Sequence, residues 1–236
     1  MLVLCIVLPL WSSDLNSQAI DSKTTNEDGF ARYATSIWSA RETSITSPDG
    51  RKAIVVRPPR VSTSDETHDV RVRVNGREFK TQIGAWVNAE VLWAPDSKAF
   101  LVTYSDGGGI GTFHVKVFYP TATGLHISEP VPNGRRLFAP WCFGTEYPNV
   151  GGIRWMGKDS TRLLIAIEVP PHSSCASMGT FRAFEIRLPD GKVLNRFGQI
   201  EAKKLFASDM GNWLSDSDDA CVLKPEDCIP TGLKKR

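Results

Sequence analysis

Three times along this chain a tight-turn signal is followed, at the same short distance, by a run of apolar residues, and no other feature restricts the fold so strongly. The copies are Thr46-Ser47-Pro48-Asp49-Gly50 before Ala53-Ile54-Val55-Val56, Trp93-Ala94-Pro95-Asp96-Ser97 before Phe100-Leu101-Val102, and Trp155-Met156-Gly157-Lys158-Asp159-Ser160 before Leu163-Leu164-Ile165. Proline presets φ for a turn and Asp or Ser bonds back onto the backbone, so each copy reads as strand, tight turn, buried strand. The third copy carries Gly157-Lys158 where the others have proline.

A second hairpin completes each copy. Val70-Arg71-Val72-Arg73-Val74 alternates strictly and meets Asn75-Gly76, a pair suited to the positive φ angles of a two-residue turn, before 77–82 return. In the second copy 112–119 turns at Pro120-Thr121-Ala122-Thr123-Gly124 and returns through 125–128; in the third, 180–188 turns at Pro189-Asp190-Gly191 and returns through 192–197. Even the entry repeats, Gly111-Thr112-Phe113 matching Gly179-Thr180-Phe181. The expectation is an all-β fold: a partial or small β-propeller-like array of three four-stranded antiparallel blades at about 43–84, 89–130 and 151–198. An irregular segment at 20–42 precedes the array and a tail at 199–236 follows it, with one or two helical turns over 200–206.

These residues resemble the repeats of TolB-type propellers, with WD40-like blades that open on a Trp-Ser-Pro-Asp-Gly-like turn followed by an apolar strand. The resemblance covers about 43–198 and rests on Trp93 and Trp155 at the aromatic position, which Thr46 takes in the first copy. It implies protein partners. Closed propellers typically need about 4 to 8 blades. Three leave the array open unless the termini supply strands, for which 31–41 is a candidate, or a second chain completes it; the oligomeric state is left open.

A chain of 236 residues with 41% hydrophobic and 23% charged content can bury one good-sized core, or at most two small ones. The net charge is only +2, and the longest basic run is Lys234-Lys235-Arg236, so no nucleic-acid footprint stands out. The first eleven residues are almost wholly apolar, and Ser17-Gln18-Ala19 offers small residues for a signal peptidase, so 1–19 reads as a secretory leader and the chain as secreted or periplasmic. An uncleaved anchor is the competing reading. The run is short of the roughly 20 apolar residues that span a bilayer, so no integral membrane insertion is expected after leader removal.

Cys5 leaves with the leader, and Cys142, Cys175, Cys221 and Cys228 remain. An even number in an exported chain suggests disulfides, with Cys221 to Cys228 and Cys142 to Cys175 the favoured pairing among three; four reduced thiols are the alternative.

The segment 170–179 places His172, Ser173, Ser174 and Cys175 in one loop between two strands of the last blade. A nucleophile and base need hydrogen-bond reach and a third, orienting group, which adjacency alone does not supply. The equivalent loop of the second blade holds Asp106, Gly107, Gly108 and Gly109, able to present backbone N–H groups or to admit a close neighbour, yet without the Lys or helix of a phosphate loop. These loops, with Trp141 in the long connection 130–152, form the expected binding rim.

No cofactor and no metal site is expected. Paired zinc-ligand spacing is missing, Asp216-Ser217-Asp218-Asp219 lacks the glycine and distal Glu of a calcium loop, and His68, His114 and His126 read as strand residues. Gly-x-Ser-x-Gly, His-Glu-x-x-His and dinucleotide glycine patterns are absent. A non-enzymatic binding or scaffolding module is the leading reading. Its rivals are a small hydrolase built on His172 with Ser173 or Ser174, and an accessory chain completing a partner's propeller.

Overall fold

The computed structural model describes residues 28–37, 40–59, 68–85, 89–105, 111–138, 147–171, 177–219 and 222. Its strands form three antiparallel sheets that do not close into a barrel. Blade 1 consists of β2 (Thr43–Thr46), β3 (Lys52–Arg57), β4 (His68–Val74) and β5 (Arg77–Ala85), paired in chain order. Blade 2 consists of β6 (Ala89–Trp93), β7 (Phe100–Ser105), β8 (Phe113–Pro120) and β9 (Leu125–Ser128), and β1 (Thr35–Ser36) pairs along the free side of β6. Blade 3 consists of β10 (Asn149–Trp155), β11 (Arg162–Glu168), β12 (Phe181–Arg187) and β13 (Val193–Gly198). The expected three four-stranded units are therefore present, and a strand from the candidate stretch 31–41 joins the second of them.

Strand periodicity decides how the blades stack, because successive side chains point to opposite faces. Ile54, Val56, Val70, Val72 and Val74 of blade 1 meet Val91, Phe100, Val102 and Phe118 of blade 2 in one apolar layer. Leu101, Val115 and Val117, on the other face of blade 2, meet Trp155, Leu163, Ile165, Ile167 and Phe184 of blade 3 in a second. Leu164, Ala166, Phe181 and Ala183 turn to a third layer under helices α1 (Gln199–Phe206) and α2 (Asn212–Ser215). Blades 2 and 3 bury both faces, which is why β7 and β11 read as continuous apolar runs, whereas β4 alternates because blade 1 buries one.

The turn chemistry behaves alike in all three copies. Asp49, Asp96 and Asp159 each accept, through Oδ1, the backbone N–H two residues on, at 3.0, 3.0 and 3.1 Å. At the hairpin of blade 1, Asn75 and Gly76 have φ of 49° and 78°, the conformation that matches a two-residue connection to twisted strands. Neighbouring blades also interlock at this end. Ser97 Oγ accepts from Asp49 N at 3.0 Å, and Asp96 Oδ2 accepts from both the N–H and the hydroxyl of Ser160 at 3.2 Å.

The tryptophans explain the aromatic position of the repeat. Trp93 Nε1 donates to the Ile45 carbonyl at 3.3 Å and Trp155 Nε1 to the Leu92 carbonyl at 3.1 Å, so each reaches back to the residue just before the equivalent position of the preceding blade. Thr46 has no preceding blade to reach. Replacing Trp155 by Phe, which keeps an aromatic ring but removes the Nε1 bond to the Leu92 carbonyl, is expected to cost about 1–1.5 kcal/mol in urea unfolding. Thr46→Trp should stay within about 0.5 kcal/mol, as surface changes do. Equal effects at the two positions would refute the reach-back role.

The two open ends of the stack differ. Blade 1 presents a charged face on which Arg57 and Arg73 both bond Glu78 at 2.8 Å, Arg57 also bonds Glu42 at 2.9 Å, and Arg71 pairs with Asp69 at 2.8 Å. The two guanidiniums hold the Glu78 carboxyl down to about 2. The far face of blade 3 is covered. Residues 29–37 form a strap that bonds the turn between α1 and α2 through Gly211 N to Phe30 O at 3.0 Å and Arg32 N to Asp209 O at 2.9 Å. It then passes β10, pairs with β6 and ends with Ile37 in the layer between blades 1 and 2. Phe30, Phe113 and Trp213 pack edge to face with centroids 5.0–5.4 Å apart, so strap, blade 2 and α2 share one aromatic cluster.

Candidate functional site

Every residue singled out from the sequence as a binding candidate, namely Asp106, Gly107, Gly108, Gly109, Trp141, His172, Ser173 and Ser174, lies outside the described residues. So do Cys142, Cys175, Cys221 and Cys228. The strand ends that flank those loops are described. Ser105 closes β7 and Phe113 opens β8, while Glu168 closes β11 and Phe181 opens β12, so the two loops leave equivalent corners of blades 2 and 3 on the side opposite the interlocked turns.

At that side a belt of buried polar groups replaces the apolar packing found deeper in the stack. His68, Glu90, Thr103, Ser105, Asn149, Glu168 and Thr180 are all buried, at strand ends or within two residues of them. Asn149, the first residue of β10, is central. Its Oδ1 accepts from the Phe113 amide at 3.1 Å and its Nδ2 donates to Glu168 Oε2 at 3.0 Å, so one side chain joins the start of β8, the start of β10 and the end of β11. A second crossing bond runs from Gly152 N to Thr103 Oγ1 at 3.0 Å. Blades 2 and 3 are thus stitched by hydrogen bonds among the strand ends on this side.

Glu168 is 4% exposed, and a buried carboxylate normally needs a cation or two to three N–H donors. Among the described residues its hydrogen-bond partner is one neutral amide, which is too little. Burial pushes its carboxyl up to about 7, with the Asn149 hydrogen bond opposing the shift. Because the folded value lies above the ordinary one, this group favours the folded state fully below about pH 4.5 and loses that contribution as pH rises through about 7. Sequence reasoning overlooked Glu168, although a signal was there: an acid directly terminates the apolar run 163–167 of a strand buried on both faces.

A second polar group sits on the blade 1 side of blade 2. Lys116 Nζ pairs with Glu129 at 3.0 Å and lies 5.4 Å above the Tyr104 ring, whose other neighbour is the His114 imidazole at 5.8 Å. Burial works to lower the Lys116 ammonium, but the Glu129 carboxylate and the Tyr104 hydroxyl outweigh it and the net shift is upward.

The remaining candidates resolve as follows. His68, His114 and His126 lie on β4, β8 and β9, as their sequence context indicated. The described part of the long connection folds inward, with Val131 buried and Leu137 and Phe138 packed against the layer between blades 2 and 3. Asp219 accepts from Gln199 and pairs with Lys203 at 3.0 Å, which docks the acidic tail on α1. Among the described residues no group of three or more His, Cys, Asp or Glu could hold a metal ion, and no helix is long and apolar enough to cross a membrane.

Comparison of the chain with family models, curated proteins and solved structures returns no match.

Proposed function

We propose that this chain is an exported TolB-type blade protein that acts as a non-enzymatic binding or scaffolding module, engaging a protein partner with the loop side of blades 2 and 3. The observation that carries this reading is the asymmetry between the two ends of the stack. At one end, short turns bond to one another across the blades through Ser97 and Asp96, leaving their polar groups engaged within the array. At the other, longer connections rise from a buried polar belt that holds the strand ends in place. Recognition loops set on a rigid, hydrogen-bonded base are the common solution for a scaffold that binds.

The accessory-chain alternative needs an apolar free face on which a further blade can stack. Blade 1 offers ion pairs instead, and blade 3 is covered by its own strap and helices. The hydrolase alternative rests on His172 with Ser173 or Ser174 and gains no support from the described geometry.

A photo-cross-linking amino acid at Met178, 51% exposed beside β12, tests the proposal against the same group at the exposed Thr123 on the interlocked-turn side. A discrete adduct formed in the cell envelope from position 178 and not from 123 is expected. Adducts from 123 alone would place the binding surface at the wrong end.

A further inference from the structure

We propose that Glu168 is a proton-operated latch on the junction between blades 2 and 3: with the proton on, the Phe113–Asn149–Glu168 bridge stays shut, and with the proton off the junction opens locally. The geometry supplies the reason. The carboxyl is enclosed between β10 and β12, which flank β11, and faces the same layer as Phe113 and Phe181. Its hydrogen-bond partner is the neutral Asn149 amide, which can donate to the carbonyl oxygen of an uncharged acid and favours the carboxylate by less than burial disfavours it. A carboxylic acid can remain in such a place, whereas a carboxylate there lacks, among the described residues, the compensation that burial demands and is favoured by any motion that admits water.

No charged side chain of the surrounding described elements offers that compensation. On β8, His114 lies beside Tyr104 on the opposite face of blade 2. On β10, Arg154 is engaged by Asp209 at 2.8 Å, at the far end of the strand. On β12, Arg182 lies over the Phe138 ring at 4.9 Å, and Glu185 bonds Arg162 at 2.9 Å. In the cap, Arg32 donates to the Met210 carbonyl at 3.2 Å, and Lys203 is taken by Asp219 and the Ser217 carbonyl. Among the described residues, burial therefore acts on the Glu168 carboxyl against one amide, and burial prevails.

The consequence is confined to one corner of the molecule. Asn149 holds the first amide of β8 with the same side chain that touches Glu168, so loosening β11 at its end releases Phe113 N–H. The next rung outward, Val169 N to Thr180 O at 2.8 Å, lies at the base of the 170–179 loop and should open with it. Local openings of this kind are thermodynamically independent of global unfolding, and their equilibrium shifts by linkage to the proton.

Hydrogen exchange resolved to single amides, corrected for the intrinsic pH dependence of exchange, reads this directly. Between pH 5.5 and 8.5 the opening equilibrium of Phe113 and Val169 is expected to rise roughly tenfold to a hundredfold, as linkage requires for a carboxyl held well above its ordinary range. The Ser97 amide, bonded to the Ala94 carbonyl at 2.9 Å on the opposite end, should stay level. Glu168→Gln should abolish the slope at both reporter amides. An equal slope in that variant, or a rise shared by Ser97, overturns the latch. Carboxyl carbon chemical shifts of labelled wild-type protein supply a check that needs no folded variant: titration of Glu168 in the ordinary carboxylate range would refute the proposal by itself.

Discussion

Replacing Phe30 with alanine is expected to destabilise the protein by about 3–5 kcal/mol, the range for an aromatic ring deleted from a packed core. The ring is fully buried, touches Phe113 and Trp213 edge to face, and fills the space above Gly151, where any β-carbon would overlap it. Removing it leaves a hole that the sheet on one side and the hydrogen-bonded strap on the other cannot collapse to fill. Urea unfolding gives the measurement, with the slope against denaturant unchanged if the same surface is exposed. Tyr33 in the same strap is 59% exposed, and Tyr33→Ala should stay within about 0.5 kcal/mol. A loss at Phe30 no larger than at Tyr33 would mean that the strap is not a structural part of the stack.

Gly191→Ala should be costly for two separable reasons, and Gly50 provides the control. Both glycines have left-handed backbones, with φ of 66° and 71°, a conformation that costs a residue with a side chain about 1–2 kcal/mol. A β-carbon at Gly50 meets nothing, so Gly50→Ala should show that backbone cost alone. At Gly191 the β-carbon would overlap the Pro130 carbonyl, at the start of the segment whose Val131, Leu137 and Phe138 pack between blades 2 and 3. Displacing that segment brings the total to about 3 kcal/mol or more, in the range of overpacked cores. Identical losses in the two variants, read from the same unfolding curves, would rule out the close approach of linker and turn.

These effects show which parts of the molecule can be read locally. The turns at Asp49, Asp96 and Asp159 were legible because their chemistry acts over two residues, and the same bond forms in all three. Strand identity was legible from period two, and the difference between the strict alternation of β4 and the unbroken apolar run of β11 already encoded one buried face against two. The reason for Trp93 and Trp155 was not legible. It depends on carbonyls 48 and 63 residues away in the preceding blade, and the same dependence accounts for Thr46 in the first.

The candidate site was legible only in outline. Equivalent loops on one side of blades 2 and 3 follow from repeat alignment, and the flanking strand ends lie where that alignment requires. Glu168 escaped notice because an acid after an apolar run looks like the solvated end of a strand. Its enclosure arises when Asn149, 19 residues earlier, pairs opposite it and Phe113 arrives from another blade.

What the residues determined unaided is therefore the unit: strand, turn, strand, hairpin, three times over, since backbone sterics and side-chain alternation act within a few positions. Tertiary structure alone decided that the stack stays open, that strap and helices cover one end while ion pairs face water at the other, and that one carboxyl is sealed at the junction of two blades. Those outcomes depend on which surfaces meet, and burial is a property of the meeting, not of either sequence segment.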